Sequence, residues 1–184
     1  MTAEPCTRPT SDASPAVDTA TSATVTSDAF RAIFRQHPAG VAVVALRDGD
    51  RPVGFTATSV ISVSADPALL TFSVAESSSS WPSLAQASTL TISFLAADQV
   101  DVSARFATRG VDRFAGVDWH WLPTGEPVLD DVLAWVRGDV VERIAVGASH
   151  LVVVQVRETS QGRPGAPLVY HDRAYHSLGE GSAL

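Results

Sequence analysis

Short apolar or alternating segments, separated by turn signals, make up most of the chain after residue 28. The segment GVAVVAL (40–46) is almost continuously apolar, which is typical of a buried strand. RDGD (47–50) then predicts a hairpin turn into the stretch 54–72, in which Asp66-Pro67 ends one strand and another follows. Four more segments favour strands: TLTISFLA (89–96), LAWVRGDVVERIAV (133–146), SHLVVVQVRE (149–158) and PLVYHDRAYHSL (167–178). The second and third of these predict two long antiparallel strands.

Three segments favour helices. Asp28 can cap the first helix, which Pro38 ends. The residues of its apolar face recur at i, i+3, i+4 and i+7: Phe30, Ile33, Phe34 and His37. SSSSWPSLAQAS (77–88) begins as a loop and becomes a short helix, with Ser80 as N-cap and Pro82 in the first turn. ADQVDVSARFA (97–107) predicts the third helix.

The chain divides into a tail and one domain. Residues 1–27 are rich in Ser, Thr, Ala and Pro and lack periodicity, so we predict a disordered tail; it lacks the apolar core of a signal peptide. The domain spans residues 28–184. Six to eight strands with two or three short helices and no repeated βαβ unit predict a mainly β fold, an antiparallel barrel with appended helices.

Charge and composition exclude several classes of function. The 184 residues carry a net charge of −7, with thirteen arginines and no lysine. No basic run is present, which argues against a nucleic-acid surface or a membrane patch, and the apolar runs are too short to span a bilayer. Cys6 is the only cysteine, which suits a cytoplasmic location and excludes a thiolate metal cluster. Without lysine there is no Schiff-base or Walker-type phosphate site.

The histidines and serines form no familiar catalytic pattern. His171 and His176 are five residues apart, which places them on opposite faces of a strand. No G-x-S-x-G elbow occurs. Neither a metal centre nor a serine hydrolase is indicated.

An uncharged run of hydroxyl side chains is the first candidate binding feature. No charged residue occurs between Arg51 and Asp66. If the chain forms one strand here, alternate residues share a polar face: Thr56, Thr58, Ser62 and Ser64. Hydroxyls both donate and accept hydrogen bonds, so this face suits a neutral ligand edge that alternates carbonyl and N–H groups. The alternative is a Thr/Ser face that is solvated or packed in the barrel.

Two further segments have the chemistry of an anion site. SSSSW (77–81) combines four hydroxyls with the free N–H groups of a helix start, and ordinary capping of a flexible loop is the alternative. SARFATRGVDRF (103–114) carries Arg105, Arg109 and Arg113, each able to bind a phosphate through two N–H groups. Solvated helix arginines are the alternative there.

These features occur in the order found in one protein family. The chain from about Phe30 to Leu178 resembles the short-chain flavin reductases, the small reductase components of two-component flavin-dependent monooxygenases. The motifs that carry the resemblance are FRAIFRQHPAGVAVV, PVGFTATSVISVSADPALL, SSSSWPSLAQAS, LAADQVDVSARFA, DRFAGVDWHW, GEPVLDDVLAWV and PLVYHDRAYHSL.

The resemblance implies an FMN-binding split β-barrel, antiparallel and Greek-key-like, with a few short helices and usually in a homodimer. It also implies an NAD(P)H:flavin oxidoreductase that uses NADH or NADPH to reduce FMN or FAD. Hydride passes from nicotinamide to flavin, and reduced flavin is supplied to a partner monooxygenase. Cofactors carry this chemistry, so no catalytic residue of the chain is needed.

Cofactor-binding residues are also implied by the resemblance, position by position. Those that would line the isoalloxazine ring are Pro52, Val53, Gly54, Phe55, Thr56, Thr58 and Ser59. Those flanking the ribityl chain would be Ser73, Val74 and Ala75, and the phosphate would meet Ser79 and Ser80. Arg105, as the counter-charge, and Phe106 would close the phosphate side.

One motif departs from the family pattern. Family members commonly have Gly-Asp-His before the strand that matches LVVVQV, with the histidine near the nicotinamide. Here Gly147 matches, the aspartate position is Ala148, and Ser149 takes the histidine position. His150 comes one residue late, so either a bulge returns it to the site or nicotinamide binding uses other groups. The alternative functions are a flavin-binding module or a split-barrel oxidase without efficient reductase activity.

Overall fold

A computed structural model describes residues 24–179. Its helices are α1 (Ser27–Arg35), α2 (Trp81–Leu84) and α3 (Val100–Ala107). Its first six strands are β1 (Ala39–Gly40), β2 (Ala42–Asp48), β3 (Arg51–Ala57), β4 (Ile61–Ala65), β5 (Ala68–Ala75) and β6 (Thr89–Phe94). The others are β7 (Trp119–Trp121), β8 (Pro127–Leu129), β9 (Ala134–Val146), β10 (Ser149–Gln161), β11 (Leu168–His171) and β12 (Ala174–Ser177). No helix in this range is long and apolar enough to cross a membrane.

The main sheet is a split barrel. Seven strands pair antiparallel in the order β3-β2-β6-β9-β10-β5-β4, so β3 and β4 follow each other in the chain but lie at opposite edges. Three residues, 58–60, connect these edges, and so short a link requires the sheet to curl. A side chain then fixes this connection to β5: Ser59 Oγ accepts from Ser73 N at 2.9 Å and donates to Ser73 O at 3.2 Å. The predicted mainly β, antiparallel architecture is confirmed.

Strand β2 is buried on both of its faces. One face points into the barrel, where Val44 and Leu46 pack with Phe72 and Ile92. The other face packs Val41, Val43 and Ala45 against Phe106 of α3 and against the small sheets. The continuous apolar run at 41–46 follows from this two-sided burial. It also holds α3 and the loop after it against the barrel edge.

The uncharged stretch is two strands rather than one. β3 ends at Ala57 and β4 begins at Ile61, and a register shift between Ser62 and Ser64 follows. The prediction that alternate residues from 54 to 65 share a face is therefore wrong beyond Ala57. Thr58 and Ser59 lie in the connection, where side-chain direction is set by the bend of the chain rather than by strand alternation.

The predicted helix α1 is present, but its cap and surroundings differ from expectation. Thr26 is extended, and its Oγ1 accepts from Ala29 N at 3.2 Å, so Thr26 replaces Asp28 as the N-cap. The predicted domain boundary at residue 28 therefore falls inside the helix. Most of the predicted tail, residues 1–23, lies outside the described residues. Phe30, Ile33 and Phe34 are each more than half exposed.

Candidate functional site

Two adjoining cavities lie along β3 and its connection to β4. Cavity A, about 750 Å³, is lined by residues 51–54, 79–80, 110–115 and 119. Cavity B, about 360 Å³, is lined by residues 55–59, 73–75, 78–79, 106–107, 109 and 113. Ser79 and Arg113 line both cavities. The two cavities therefore form one groove with a polar junction in its middle.

Arg113 is the cation at the junction. Its Nη1 donates to Gly54 O at 2.7 Å and to Ser80 Oγ at 2.9 Å, and its Nη2 donates to Ser79 Oγ at 3.3 Å. Its Nε donates to Thr108 O at 2.8 Å, which holds the loop after α3 in place. The guanidinium is thus fixed beside the serine loop by four hydrogen bonds.

A second arginine lies close to the first. Arg109 Nη2 donates to Ser77 O at 3.2 Å, and Arg109 lines cavity B with Arg113. Burial, and then the charge of Arg109, lowers the pKa of Arg113. Within residues 24–179 neither guanidinium has an acidic ion-pair partner. Two adjacent unpaired cations beside hydroxyls fit a bound phosphate.

Arg105, predicted as the phosphate counter-charge, lies elsewhere. It is exposed and lines a different cavity together with Asp101 and Thr108. The reason is helical geometry: consecutive residues of a helix point about 100° apart, and Phe106 is fully buried beneath β3. With Phe106 in the core, Arg105 faces away from the serine loop. Arg113, eight residues later in a loop that folds back, is the arginine that lies beside the serine loop.

The other predicted cofactor residues all line the groove. Those in cavity A are Pro52, Val53, Gly54, Ser79 and Ser80. Those in cavity B are Phe55, Thr56, Thr58, Ser59, Ser73, Val74, Ala75 and Phe106, and Ser79 lines this cavity as well. Residues 52–59, which were predicted to line the isoalloxazine ring, are therefore divided between the two cavities, with residues 52–54 in cavity A and residues 55–59 in cavity B.

Gly54 lies where cavity A meets cavity B, at a position where a side chain would clash with α3. A Cβ atom there would lie 2.7 Å from Phe106 Cε1 and 3.0 Å from Val44 O. Its carbonyl accepts from Arg113 and, at 3.4 Å, from Ser80 Oγ. The missing side chain lets α3 approach the strand closely.

The hydroxyls of cavity B have different surroundings. Thr56 Oγ1 donates to Ser103 O at 2.6 Å and so anchors α3 to β3. Ser59 Oγ hydrogen-bonds the backbone N–H and carbonyl of Ser73 on β5. Thr58 is exposed and has no side-chain hydrogen bond to another described residue, so its hydroxyl is available to a ligand.

The predicted nicotinamide contacts, Ser149 and His150, point in opposite directions. Ser149 pairs with the exposed Ala75 and His150 with the buried Val74; both partners line cavity B, but neither Ser149 nor His150 does. The His150 ring stacks on Trp81 with centroids 3.7 Å apart and an angle of 12° between the planes. The register shifts of β10 come later, after Val153 and after Val156, so no bulge turns His150 back. The structure thus places His150 outside the residues that line either cavity.

Apart from Arg113, which was one of three candidate phosphate-binding arginines, sequence reasoning did not assign the loop of residues 110–115 or Trp119 to the site. Both line cavity A, and Phe114 and Trp119 contact each other edge to face at 5.1 Å. The available signal was Arg113 itself, one of three arginines in a short segment. Nothing local distinguishes it from Arg105 and Arg109.

Comparison with known proteins places this groove in a family. Residues 34–179 match the family model described as a flavin reductase like domain. An NADH:FMN oxidoreductase of Rhodococcus erythropolis is 44% identical over 152 residues, which are 80% of this chain and 79% of that protein. The reductase subunit HsaB of a flavin-dependent monooxygenase of Rhodococcus jostii is 32% identical over 81% of this chain and 76% of its own.

A solved structure supports the same assignment. The flavin reductase domain protein from Arthrobacter sp. FB24 is 40% identical, with a TM-score of 0.79 over 83% of this chain and 95% of its own. The matched residues include both cavities and the loop that carries Arg113. This chain belongs to the flavin reductase-like family.

Proposed function

We propose that this protein is an NAD(P)H:flavin oxidoreductase that reduces FMN or FAD and supplies the reduced flavin to a partner monooxygenase. The observation that carries the proposal is Arg113, held between the Gly54 carbonyl and the Ser79 and Ser80 hydroxyls at the centre of the groove. Family membership and the activity named for the Rhodococcus erythropolis relative support it.

The residues present fit a flavin nucleotide. In this proposal the ring system lies in cavity B, where Thr58 and backbone groups of residues 55–59 and 73–75 meet its neutral hydrogen-bonding edge. The phosphate binds at the junction, where Ser79, Ser80 and Arg113 converge. Arg113 thus takes the role predicted for Arg105.

The chain's own contribution is binding and orientation. When bound, the two cofactors supply the chemistry: the reduced nicotinamide gives up a hydride to the oxidised flavin, leaving NAD(P)+ and reduced flavin. Phe55 and Phe106 pack in the core beneath cavity B, and the Ser59–Ser73 hydrogen bonds fix the connection between β3 and β4 against β5. Arg113 and Arg109 balance the phosphate charge.

Steady-state kinetics test the proposal. Purified protein is mixed with NADH or NADPH and with FMN, FAD or riboflavin, and absorbance at 340 nm is followed. We expect flavin-dependent loss of absorbance with at least one nicotinamide. Absence of turnover with every combination, in protein that binds FMN, would instead support the second candidate, a flavin-binding module. The position of His150 on Trp81, away from the cavities, favours that candidate.

We further propose that the protein is a homodimer in the cytoplasm. Strands β4, β5, β10 and β9 present an outer face on which Ser73 pairs with Leu151 and Leu151 pairs with Ile144. The large exposed apolar side chains on these strands are Ile61, Val63, Val141, Ile144, Val146 and Leu151. Such a patch is typical of a protein interface. Reductase and oxygenase must also share a compartment that contains nicotinamide nucleotides.

Light scattering during size exclusion measures the oligomeric state. We expect a dimer for the natural chain and a monomer for Leu151→Asp, because a charge at the centre of an apolar interface is costly to bury. Arg157→Gln, on the same strand, is the matched surface control. A monomeric natural chain would rule out the dimer without affecting the reductase proposal.

A further inference from the structure

The serine loop, residues 77–80, is fixed by the segment that follows α3. Arg113 donates to Ser80 Oγ at 2.9 Å and to Ser79 Oγ at 3.3 Å. Arg109 Nη2 donates to Ser77 O at 3.2 Å. These contacts join the loop to the cations that are proposed to meet the phosphate, so they hold it only from the groove.

The chain around the start of β10 holds both ends of the same loop. Glu76, the residue before the loop, donates its backbone N–H to Ala148 O at 3.0 Å. Trp81, the residue after the loop, carries the ring on which His150 stacks, with centroids 3.7 Å apart and 12° between the planes. Three consecutive residues, 148–150, therefore include a backbone contact to one end and a ring contact to the other.

The Trp81 ring is closely coupled to the backbone of the serine loop. Trp81 is the first residue of α2, and its side chain packs on the barrel core. Its N–H donates to Ser78 O at 3.1 Å, and its carbonyl accepts from Ala85 N at 2.8 Å. Its chain neighbour Ser80 is 1% exposed. A shift of the ring would therefore move the hydroxyls that lie beside Arg113.

His150 reaches Trp81 because of its register in the sheet. The pairing of β10 with β5 is unbroken from Ser149 to Gln155, so His150 shares a face with the fully buried Val152 and Val154. That face is directed into the barrel, where Trp81 packs. A histidine at position 149 would lie on the opposite face and could not make this stack.

The far end of α2 is held from the same sheet. Arg143 of β9 pairs with Val152 of β10, and its Nε donates to Leu84 O at 3.0 Å. Its Nη2 also donates to Ala87 O. These carbonyls end a four-residue helix that has few hydrogen bonds of its own. Strands β9 and β10 thus fix α2 at both ends, at the first end through His150.

We propose that His150 is a positioning residue for the phosphate end of the flavin, acting through Trp81. Its stack fixes the serine loop where Ser79 and Ser80 lie beside Arg113. The inference rests on the proposed binding of a flavin phosphate at that junction. Four consecutive serines provide no apolar side chain to order the loop, so contacts at its flanks have to offset the entropy of ordering. A loop ordered in advance loses less entropy when the phosphate binds.

Flavin fluorescence quenching tests the proposal with two ligands that share one ring system. FMN carries the phosphate and riboflavin lacks it. In His150→Ala we expect FMN affinity to fall about three- to tenfold, the size expected for one aromatic pair, and riboflavin affinity to stay unchanged. His150→Phe retains a flat ring that can stack on Trp81, so it should recover most of the loss.

A double-mutant cycle shows whether the effect passes through Trp81. Trp81→Leu keeps an apolar side chain on the barrel core but removes the stacking partner. In that background His150→Ala should cause no further loss of FMN affinity, because the interaction is already absent. Full additivity of the two losses would contradict transmission through the ring.

His176→Ala is the matched control, since His176 is an exposed histidine that lines neither cavity A nor cavity B. It should bind both flavins as the natural chain does. Urea midpoints of every variant identify any protein that is only partly folded. His150→Phe keeps the test decisive if His150→Ala is unstable.

Three results would overturn the proposal. FMN affinity could be unchanged in His150→Ala, or FMN and riboflavin could weaken equally, which would indicate a general structural role. An increase in KM for NADH at unchanged FMN affinity would instead make His150 a nicotinamide contact. Failure of the proposed function is distinguishable: the natural chain would then show no NADH oxidation and no preference for FMN over riboflavin.

Discussion

Two partly buried arginines, Arg137 of β9 and Arg113 of the loop after α3, have opposite electrostatic surroundings. Arg137 Nη2 lies 2.9 Å from Glu126 Oε1, and the side chain of Glu126 is 2% exposed. Hydrogen bonding to Glu126 raises the pKa of Arg137. Arg113 has no carboxylate partner within the described residues; burial and Arg109 lower its pKa. The first cation is neutralised by the chain itself, and the second is left for a ligand.

The comparison separates a structural ion pair from a binding site. Glu126 is also held by Thr124, whose Oγ1 donates to Glu126 Oε2. Burial alone raises the pKa of Glu126, but hydrogen bonds from Arg137, Thr124 and Thr89 outweigh it and lower the pKa to about 2. Arg113 instead donates only to neutral oxygens. Changes at the first pair should therefore affect stability, and changes at the second should affect ligand binding.

Glu126→Gln should have the largest effect. It leaves the Arg137 charge mostly buried without its main partner, which costs about 3 kcal/mol of unfolding free energy. Urea denaturation followed by tryptophan fluorescence measures this loss. Asp131→Asn is the control, because Asp131 pairs with Arg163 at the surface and should change stability by less than about 1 kcal/mol. Equal losses in the two variants would contradict the structural role.

Low pH should weaken the ion pair between Glu126 and Arg137. The Glu126 carboxyl has a lowered pKa in the folded chain, so its stabilisation is fully present above the unfolded value near 4.3 and is lost as pH falls towards about 2. The loss amounts to about 3 kcal/mol across this range. Urea midpoints from pH 5 to pH 2.5 capture about 2 kcal/mol of it, and Glu126→Gln should show a shallower pH dependence. Parallel curves for the two chains would refute the assignment.

Arg113→Gln should change ligand binding more than stability. FMN affinity should fall about ten- to hundredfold, because a charge-assisted hydrogen bond to the phosphate is lost, while riboflavin affinity should change little. Quenching of flavin fluorescence measures both affinities. Arg105→Gln is the matched control and should leave FMN affinity as it is. If Arg105→Gln weakened FMN and Arg113→Gln did not, the original sequence prediction would be right after all.

Two threonines of cavity B should show the smallest effects. Thr58→Val should weaken FMN and riboflavin alike by several-fold and leave stability unchanged, because its hydroxyl has no partner in the described chain. Thr56→Val should cost about 1 kcal/mol of unfolding free energy, since it removes the hydrogen bond to Ser103 O. Fluorescence titration and urea denaturation together distinguish them. Identical behaviour of the two variants would contradict the distinction.

Most of the candidate site could be predicted from the sequence, because its parts are local. The hydroxyl run from Thr56 to Ser59 and the serine loop with Ser79 and Ser80 are contiguous in the chain, and all of these residues except Ala57 and Ser78 were assigned to the cofactor from sequence. The structure brings the assigned residues to one groove. Arg105 does not line this groove, and its placement depends on a long-range fact: Phe106 packs into the core beneath Gly54.

In the fold, too, local features could be predicted from the sequence and long-range contacts could not. Apolar runs and turn signals predicted the longer strands and the three helices, since side-chain periodicity and turn chemistry act over a few residues. The short strands β7 and β8 were not predicted. The break at residues 58–60 could not be read in this way. It exists because β3 and β4 pair with different partners at opposite edges of the sheet, and each pairing involves residues distant in sequence.

The amino-acid sequence by itself determined the chemical types at the site. With no lysine in the chain, the counter-charge to a phosphate has to be arginine, and the uncharged hydroxyl run suits a neutral ring edge. Tertiary structure alone decided which arginine reaches the serines and which way His150 points. Both depend on contacts between residues far apart in the chain: the packing of α3 on β3, and the register of β10 against β5. A change of one residue in that register would exchange Ser149 and His150 between the two faces of the sheet.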